Sequence, residues 1–233
     1  MIKDGKTLFS RQFRYFLIQI ILYRTTVSNT CPYSSSSSLN SVPSSSSKPS
    51  SSSSANVGGS CSINDYRTVK IGSQTWMAEN LNCNVAGSVC HSNDPANCNE
   101  YGRLYKWETA MVACPSGWHL PSDDEWKKLI TYVGGQSTGG TKLKATSGWS
   151  DGNGEDTQGF RALPGGFGYS DGSFSSFPNS NFPTLGGIYG DWWSATKNTN
   201  SCHSDFSMWS SREDVMWSEN CKGDLYSVRC VRD

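Results

Sequence analysis

Nine cysteines carry the most obvious chemistry in this 233-residue chain. Cys31 stands alone ahead of a serine tract. Cys61, Cys83, Cys90, Cys98, Cys114, Cys202, Cys221 and Cys230 are spread over the rest. A cysteine can attack carbon, ligate a metal or pair with another cysteine. Zinc sites built on cysteine favour closely spaced pairs. No Cys-x-x-Cys occurs here, and His91, His119 and His203 are scattered. An even count of eight in an exported domain points instead to four disulfides. Cys90-x7-Cys98 would close a small local loop around Asp94-Pro95.

The best oxygen-ligand cluster is Asp151-Gly-Asn-Gly-Glu-Asp156. Asp151, Asn153, Glu155 and Asp156 in a glycine-rich loop could wrap calcium. The loop is not an EF-hand, because the sixth position is Asp156 and the twelfth Ala162. A solvated polar turn is the favoured reading, since acids are common in such turns, and no other cofactor is expected. Aromatic residues suggest ligand contacts of another kind. Tyr169, Phe174, Phe177 and Phe182 lie in or beside a long Ser/Asn/Pro/Phe loop, about 175–187, where binding residues concentrate. They could equally pack under their own loop. No Ser/His/Asp or Cys/His set stands out for catalysis, and a hydrogen-bonded structural role suffices for His119.

These groups hang on a recognisable series of elements. Tyr66–Ile71 and Gln74–Met77 across Gly72-Ser73 read as a β-hairpin. Leu104, Trp107, Glu108, Met111 and Val112 fall on one helical face, which ends at Cys114-Pro115. Cys114-Pro-Ser-Gly-Trp-His-Leu-Pro-Ser122 leads into a second helix. Ser122 and Glu125 form a capping box there. Trp126, Leu129, Ile130 and Val133 supply the i, i+3, i+4, i+7 stripe, and Gly134-Gly135 closes it. A short helix is expected around Lys142–Ala145. Phe160–Leu163, Gly166–Tyr169, Gly190–Thr196, Asp205–Trp209, Asp214–Trp217 and Leu225–Val231 read as strands. Trp118, Trp126, Trp192 and Trp193 sit at periodic positions and belong to the core. Two early helices and late antiparallel strands make the fold class α+β.

The chain divides into three parts. Residues 1–30 carry a basic stretch, Lys3 to Arg14, and then the apolar Phe16-Leu-Ile-Gln-Ile-Ile-Leu22, the pattern of an export signal too short to span a bilayer. Residues 31–60 form a serine-rich spacer that cannot bury enough apolar surface to offset chain entropy. Residues 61–233 form one domain, long enough for a sizeable core. Residues 1–60 hold six Lys/Arg and one Asp, and residues 61–233 hold fourteen Lys/Arg and nineteen Asp/Glu, so the two parts are +5 and −5. An acidic domain with no basic stripe argues against nucleic acid as a partner. Cys31, after the apolar run and before a flexible tether, stands where a lipoprotein carries its lipid, although Ser28-Asn29-Thr30 departs from a usual lipobox. Cleavage near Ser28 with a free Cys31, or intermolecular pairing by it, are the alternatives.

Six runs carry a family resemblance: Val69-Lys-Ile-Gly72 with Trp76-Met-Ala-Glu-Asn-Leu81; Tyr101-Gly-Arg-Leu-Tyr105; Cys114 to Ser122; Gly159-Phe160 with Ala162-Leu-Pro-Gly-Gly166; Trp192-Trp-Ser-Ala-Thr196; and Ser227-Val-Arg-Cys230. Over roughly residues 61–233 they resemble the Fibrobacter succinogenes major paralogous domain. Its members are often lipoprotein-like, with serine-rich tethers, and have no established activity. More distantly, the order of Cys114, the capped helix, Cys202, Cys221 and Cys230 is similar to the C-type-lectin-like domain. That resemblance implies two helices packed on antiparallel strands, with bridges Cys114–Cys230 and Cys202–Cys221. With Cys90–Cys98 closed locally, Cys61–Cys83 remains. A 116-residue loop closed by Cys114–Cys230 would contribute about 4–5 kcal/mol in the chain-entropy model. The calcium-binding tripeptides of sugar-binding lectins are absent, and Trp217-Ser-Glu-Asn220 is misspelt for their strand motif.

The expected function is therefore an exported, non-catalytic binding or adhesion module, held at the cell surface or outer membrane by an N-terminal lipid anchor, or secreted. A polysaccharide or a surface protein is the expected partner. Two other readings remain. One is a divergent relative of the formylglycine-generating, sulfatase-modifying enzymes, which work through cysteine chemistry; four disulfides would leave the domain no thiol for it. The other is a structural coat protein.

Overall fold

A computed structural model of the chain describes residues 61–150, 152–175, 187–199 and 202–233, all within one compact unit, Ser53–Asp233. The stretches expected to be an export signal and a serine tether, with Cys31, lie outside the described residues. The fold is α+β, with four α-helices and two sheets. In chain order come β1 (Thr68–Ile71), β2 (Gln74–Met77), β3 (Ser88–Val89), α1 (Pro95–Tyr101), β4 (Leu104–Tyr105), α2 (Trp107–Ala113) and β5 (Trp118–His119). Then follow α3 (Asp123–Tyr132), α4 (Gln136–Leu143), β6 (Tyr189–Lys197), β7 (Cys202–Trp209), β8 (Met216–Cys221), β9 (Tyr226–Ser227) and β10 (Val231–Arg232). One sheet runs β1-β2-β10-β5 and the other β3-β4-β9-β6-β7-β8.

Helix α3 starts as its sequence dictates. Ser122 Oγ accepts from the Glu125 N–H while the Glu125 carboxylate accepts from the Ser122 N–H. Three acids in the first turn oppose the positive end of the helix dipole. Trp126, Leu129, Ile130 and Val133 are all buried. Trp126 packs against Trp76, Phe160, Trp192 and Phe206, with ring centroids 5.0–6.4 Å apart. Along β6 the pleat sends Trp192 into this cluster and Trp193 into a second one with Met77, Leu81, Tyr105, Tyr226 and Val228.

Among the described residues four α-helices stand where three are expected from the sequence. Asp94 caps α1 by accepting from the Ala96 N–H, and Pro95 sits at its first position. Seven residues are too few for periodicity to reveal. The expected helix around Lys142–Ala145 lies earlier, as α4. Its Gly140 is required by a close approach, since a Cβ there would lie 2.4 Å from the Asp214 carbonyl oxygen. Helix α2 buries Ala110 and Ala113, while Met111 and Val112 are exposed. Met111 and Val112 of the expected stripe thus face outward, whereas Leu104 is buried and Trp107 packs against the second cluster.

The strand reading of Phe160–Leu163 and Gly166–Tyr169 reduces to isolated bridges such as Lys144↔Ala162 and Gly168↔Leu225. Leu163-Pro-Gly-Gly166 cannot sustain a ladder. The expected terminal strand splits in two. β9 pairs with β4 and β6, whereas β10 pairs with β2 and β5. Val228, Arg229 and Cys230 cross between the sheets, fully buried. Cys61–Cys83, Cys90–Cys98 and Cys114–Cys230 are bridged. Cys202 and Cys221 lie directly opposite each other in the β7–β8 register, yet the bridge between them is not among the three. No helix of the described residues is long and apolar enough to cross a membrane.

Candidate functional site

The residues singled out from sequence are not gathered into one place. Tyr169 and Phe174 are half-buried. Tyr169 meets Phe167 edge-on at 5.2 Å, and Phe174 packs at 5.1 Å against the His91 ring. Both help wedge the 166–175 segment against its neighbours. Phe177 and Phe182 lie outside the described residues, as does Asp151. In the proposed calcium loop the three described side chains point to separate partners. Asn153 Oδ1 accepts from the Trp149 N–H at 3.0 Å, Glu155 pairs with Lys142, and Asp156 Oδ1 accepts from the Arg161 N–H at 2.7 Å. The cation that visits this loop is the Lys144 ammonium, donating to the carbonyl oxygens of Gly152, Trp209, Ser210 and Arg212 at 2.9–3.3 Å. The loop is a strap fastened to the β7–β8 turn. Among the described residues no group of three His, Cys, Asp or Glu side chains could hold a metal ion.

A polar cleft of about 720 Å³ lies elsewhere, within the size range of small-molecule sites. Four stretches line it: 61–66 before β1, 79–84 after β2, the end of α1 at 98–102, and 161–163. Two disulfides fix its walls, Cys61–Cys83 on one side and Cys98, bridged to Cys90, on the other. Gly102 lets α1 end against the floor: its φ is 79°, and a Cβ would lie 2.7 Å from Asn80 Cβ.

The floor is rigid. Asn80 is buried, donates from Nδ2 to the Tyr101 carbonyl at 2.8 Å, and accepts at Oδ1 from Arg229 Nη2 at 2.7 Å and Trp192 Nε1 at 2.9 Å. The Arg229 guanidinium is fully buried and donates further to the carbonyls of Met77, Phe160 and Arg161. It also lies 4.5 Å from the Phe160 ring centroid. Burial pushes its pKa down to about 9, which still leaves it charged at neutral pH. Every carbonyl that holds it is thus tied to a permanent cation.

The walls are rich in groups that both donate and accept. Asn82, Asn84 and Asn99 present exposed amides, and Asp65, Glu79 and Glu100 present carboxylates. Tyr66 Oη accepts from the Asn82 N–H at 3.0 Å, which leaves its own proton to donate. Burial raises the pKa of both phenols, that of Tyr101 to about 12 with help from Glu100. They are neutral donors with a ring face, not nucleophiles. No histidine lines the cleft, and its cysteines Cys61, Cys83 and Cys98 are all bridged. Such a set can hydrogen-bond and stack against a ligand.

Sequence reasoning passed over this cleft because its residues lie on loops and on the short α1, where apolar periodicity says nothing. One signal was legible: the triplet Asn-Cys-Asn occurs at 82–84 and again at 97–99. Each triplet places a bridged cysteine in the wall with at least one amide beside it. No curated protein and no solved structure matches the chain. A family model does: residues 69–232, from the first strand of the domain to its last, match the Fibrobacter succinogenes major domain, and the chain belongs to that family.

Proposed function

We propose that the protein is an exported, surface-tethered, non-catalytic binding module that holds a neutral polysaccharide in the cleft between residues 61–84 and α1. The observation that carries this reading is the lining. Adjacent hydroxyls of a sugar ring both donate and accept, and amides, carboxylates and phenols offer the matching pairs. Tyrosine adds an apolar face at low entropic cost. The three carboxylates of the lining face the guanidinium of Arg161, Glu79 is also paired with Arg67 at 2.7 Å, and Arg229 lies beneath the floor, a near-balance of charge that suits a neutral sugar. Fixed walls and a rigid floor lower the ordering cost of binding. The bridged cysteines of the cleft speak against the thiol chemistry of formylglycine-generating enzymes. A C-type-lectin-like core fits the Cys114–Cys230 bridge, which joins the end of α2 to the last strand. The basic and apolar stretches of residues 1–30 and the serine tract support export and tethering.

The test is retention of the full chain on a panel of insoluble neutral polysaccharides (a β-glucan, a mannan and a galactan), with polygalacturonate as the acidic control. Binding to at least one neutral polymer, weak binding to the acidic one, and loss on Asn82→Ala/Asn99→Ala are expected. Retention unchanged in that double variant would reject the cleft.

A further inference from the structure

Four large apolar side chains of the described residues are exposed: Met111, Val112, Tyr132 and Trp217. Scattered exposed residues of this kind need no explanation. Trp217 differs because its ring is anchored from within. It lies on β8, the outermost strand of the described six-stranded sheet. Its Nε1–H donates to Asp123 Oδ2 at 3.2 Å. Asp123 is buried at the start of α3, and its carboxylate also accepts from Ser194 Oγ at 2.6 Å and Ser204 Oγ at 3.1 Å. The Asp123 N–H donates to Thr196 Oγ1 at 2.9 Å, so the backbone that carries the carboxylate is fixed as well.

An exposed indole thus has its one polar atom satisfied inside the protein. What faces water is carbon, with 47% of the residue accessible. The flanks are charged. Lys127 lies one turn along α3, its ammonium 5.7 Å from the ring centroid, near the outer limit for a cation–π contact. Glu219 follows on the same face of β8, opposite Ser204, which in turn accepts from Asn198 Nδ2 at 2.8 Å. A protein partner would need roughly 800 Å² of complementary surface, and a single ring between an ammonium and a carboxylate does not offer it. One ring is the right size for one sugar.

We propose that Trp217 is a second saccharide contact, separate from the cleft: a stacking platform for the C–H face of a neutral pyranose, whose hydroxyls meet Lys127 and Glu219. The proposal rests on the saccharide reading of the cleft and adds to it a second point of attachment. Two contacts on one domain favour a polymer over a short oligosaccharide, because the second engages at high effective concentration once the first is made. The pre-set indole loses little freedom on binding.

The experiment is a footprint on the full chain. Trp217 oxidation by N-bromosuccinimide is followed by peptide mass spectrometry, with and without saturating neutral polysaccharide and with polygalacturonate as control. The neutral polymer is expected to slow Trp217 oxidation several-fold. Trp217→Ala should weaken binding about tenfold, the equivalent of roughly 1.4 kcal/mol, whereas Trp217→Phe should keep most of the affinity because it keeps a ring. If the alanine variant fails to fold, the wild-type footprint still decides. Polymer bound with the Asn82/Asn99 variant defective, but Trp217 oxidised at the free rate, would overturn the platform and leave the cleft standing. Trp217 protected with that variant unaffected would do the reverse. No neutral polymer bound at all would overturn both.

Discussion

Beneath α3 the contacts are made by Trp76, Trp126, Phe160, Trp192 and Phe206, fully or almost fully buried. Beside α1 they are made by buried Asn80, half-buried Tyr66 and Tyr101, and exposed Asn82 and Glu100. The first region is held by area removed from solvent, and the ring geometry tolerates some waste: the indole N–H groups of Trp76 and Trp126 have no hydrogen-bond partner. The second is held by bridges and by hydrogen bonds to a buried guanidinium. Its outer amides and carboxylates do little for the fold. The difference separates the groups that hold the fold from those proposed to contact a ligand. Substitutions under α3 should move unfolding and leave binding alone, and substitutions at the cleft rim should do the opposite.

The sharpest test on the packed side is Trp126→Ala. It empties the centre of the aromatic cluster and should cost about 3–5 kcal/mol, read as a shift of the denaturant midpoint at constant slope. Arg229→Leu should cost a comparable amount, roughly 3–5 kcal/mol. It removes the guanidinium from three backbone carbonyls and leaves Asn80 Oδ1 with Trp192 Nε1 as its remaining donor. Because Asn80 is also the cleft floor, this is the one substitution expected to disturb both properties. A stable Arg229→Leu protein with intact polysaccharide binding would break the link between floor and function. Replacing Cys114 and Cys230 by alanine should cost about 2–5 kcal/mol, through the long loop they close.

On the polar side, Asn82→Ala/Asn99→Ala should leave unfolding within about 0.5 kcal/mol of the parent, since both amides are exposed. Binding should fall at least tenfold. Stability lost without affinity lost would invert the comparison.

The smallest effect is expected at His119, which joins α3 to the C-terminal end. Its ring nitrogens meet Glu125 at 2.8 Å and Asp233 at 2.6 Å. Burial pulls its pKa down, but the two carboxylates together outweigh burial and hold it above the ordinary histidine value. The imidazolium's stabilisation is therefore complete below about pH 6.5 and fades as pH rises through the higher folded value. His119→Gln should flatten that decline in a melting-temperature series from pH 5.5 to 8.5. Parallel curves for parent and variant would show that the triad contributes nothing to folding.

Much of the fold was legible because its cues are short-range. Ser122 and Glu125 are three residues apart, and Trp126 to Val133 spans two turns, so cap and stripe announce α3 without any tertiary knowledge. Gly72-Ser73 between alternating residues does the same for β1 and β2. The cue failed at α2, where Met111 and Val112 share the apolar periodicity but Ala110 and Ala113 turn inward. Bulk does not reveal which side of a helix faces the strands.

By itself, then, the sequence determined an α+β domain preceded by basic, apolar and serine-rich stretches, with α3 and the first hairpin in place. The tertiary structure alone decided which polar groups share the cleft. The cleft draws on residues 61–66, 79–84, 98–102 and 161–163, brought together by two bridges and by Arg229 crossing between the sheets. Trp217 meets Asp123 across 94 residues of chain. Capping and periodicity act within a few residues, whereas a binding site is built from groups that only long-range packing makes neighbours.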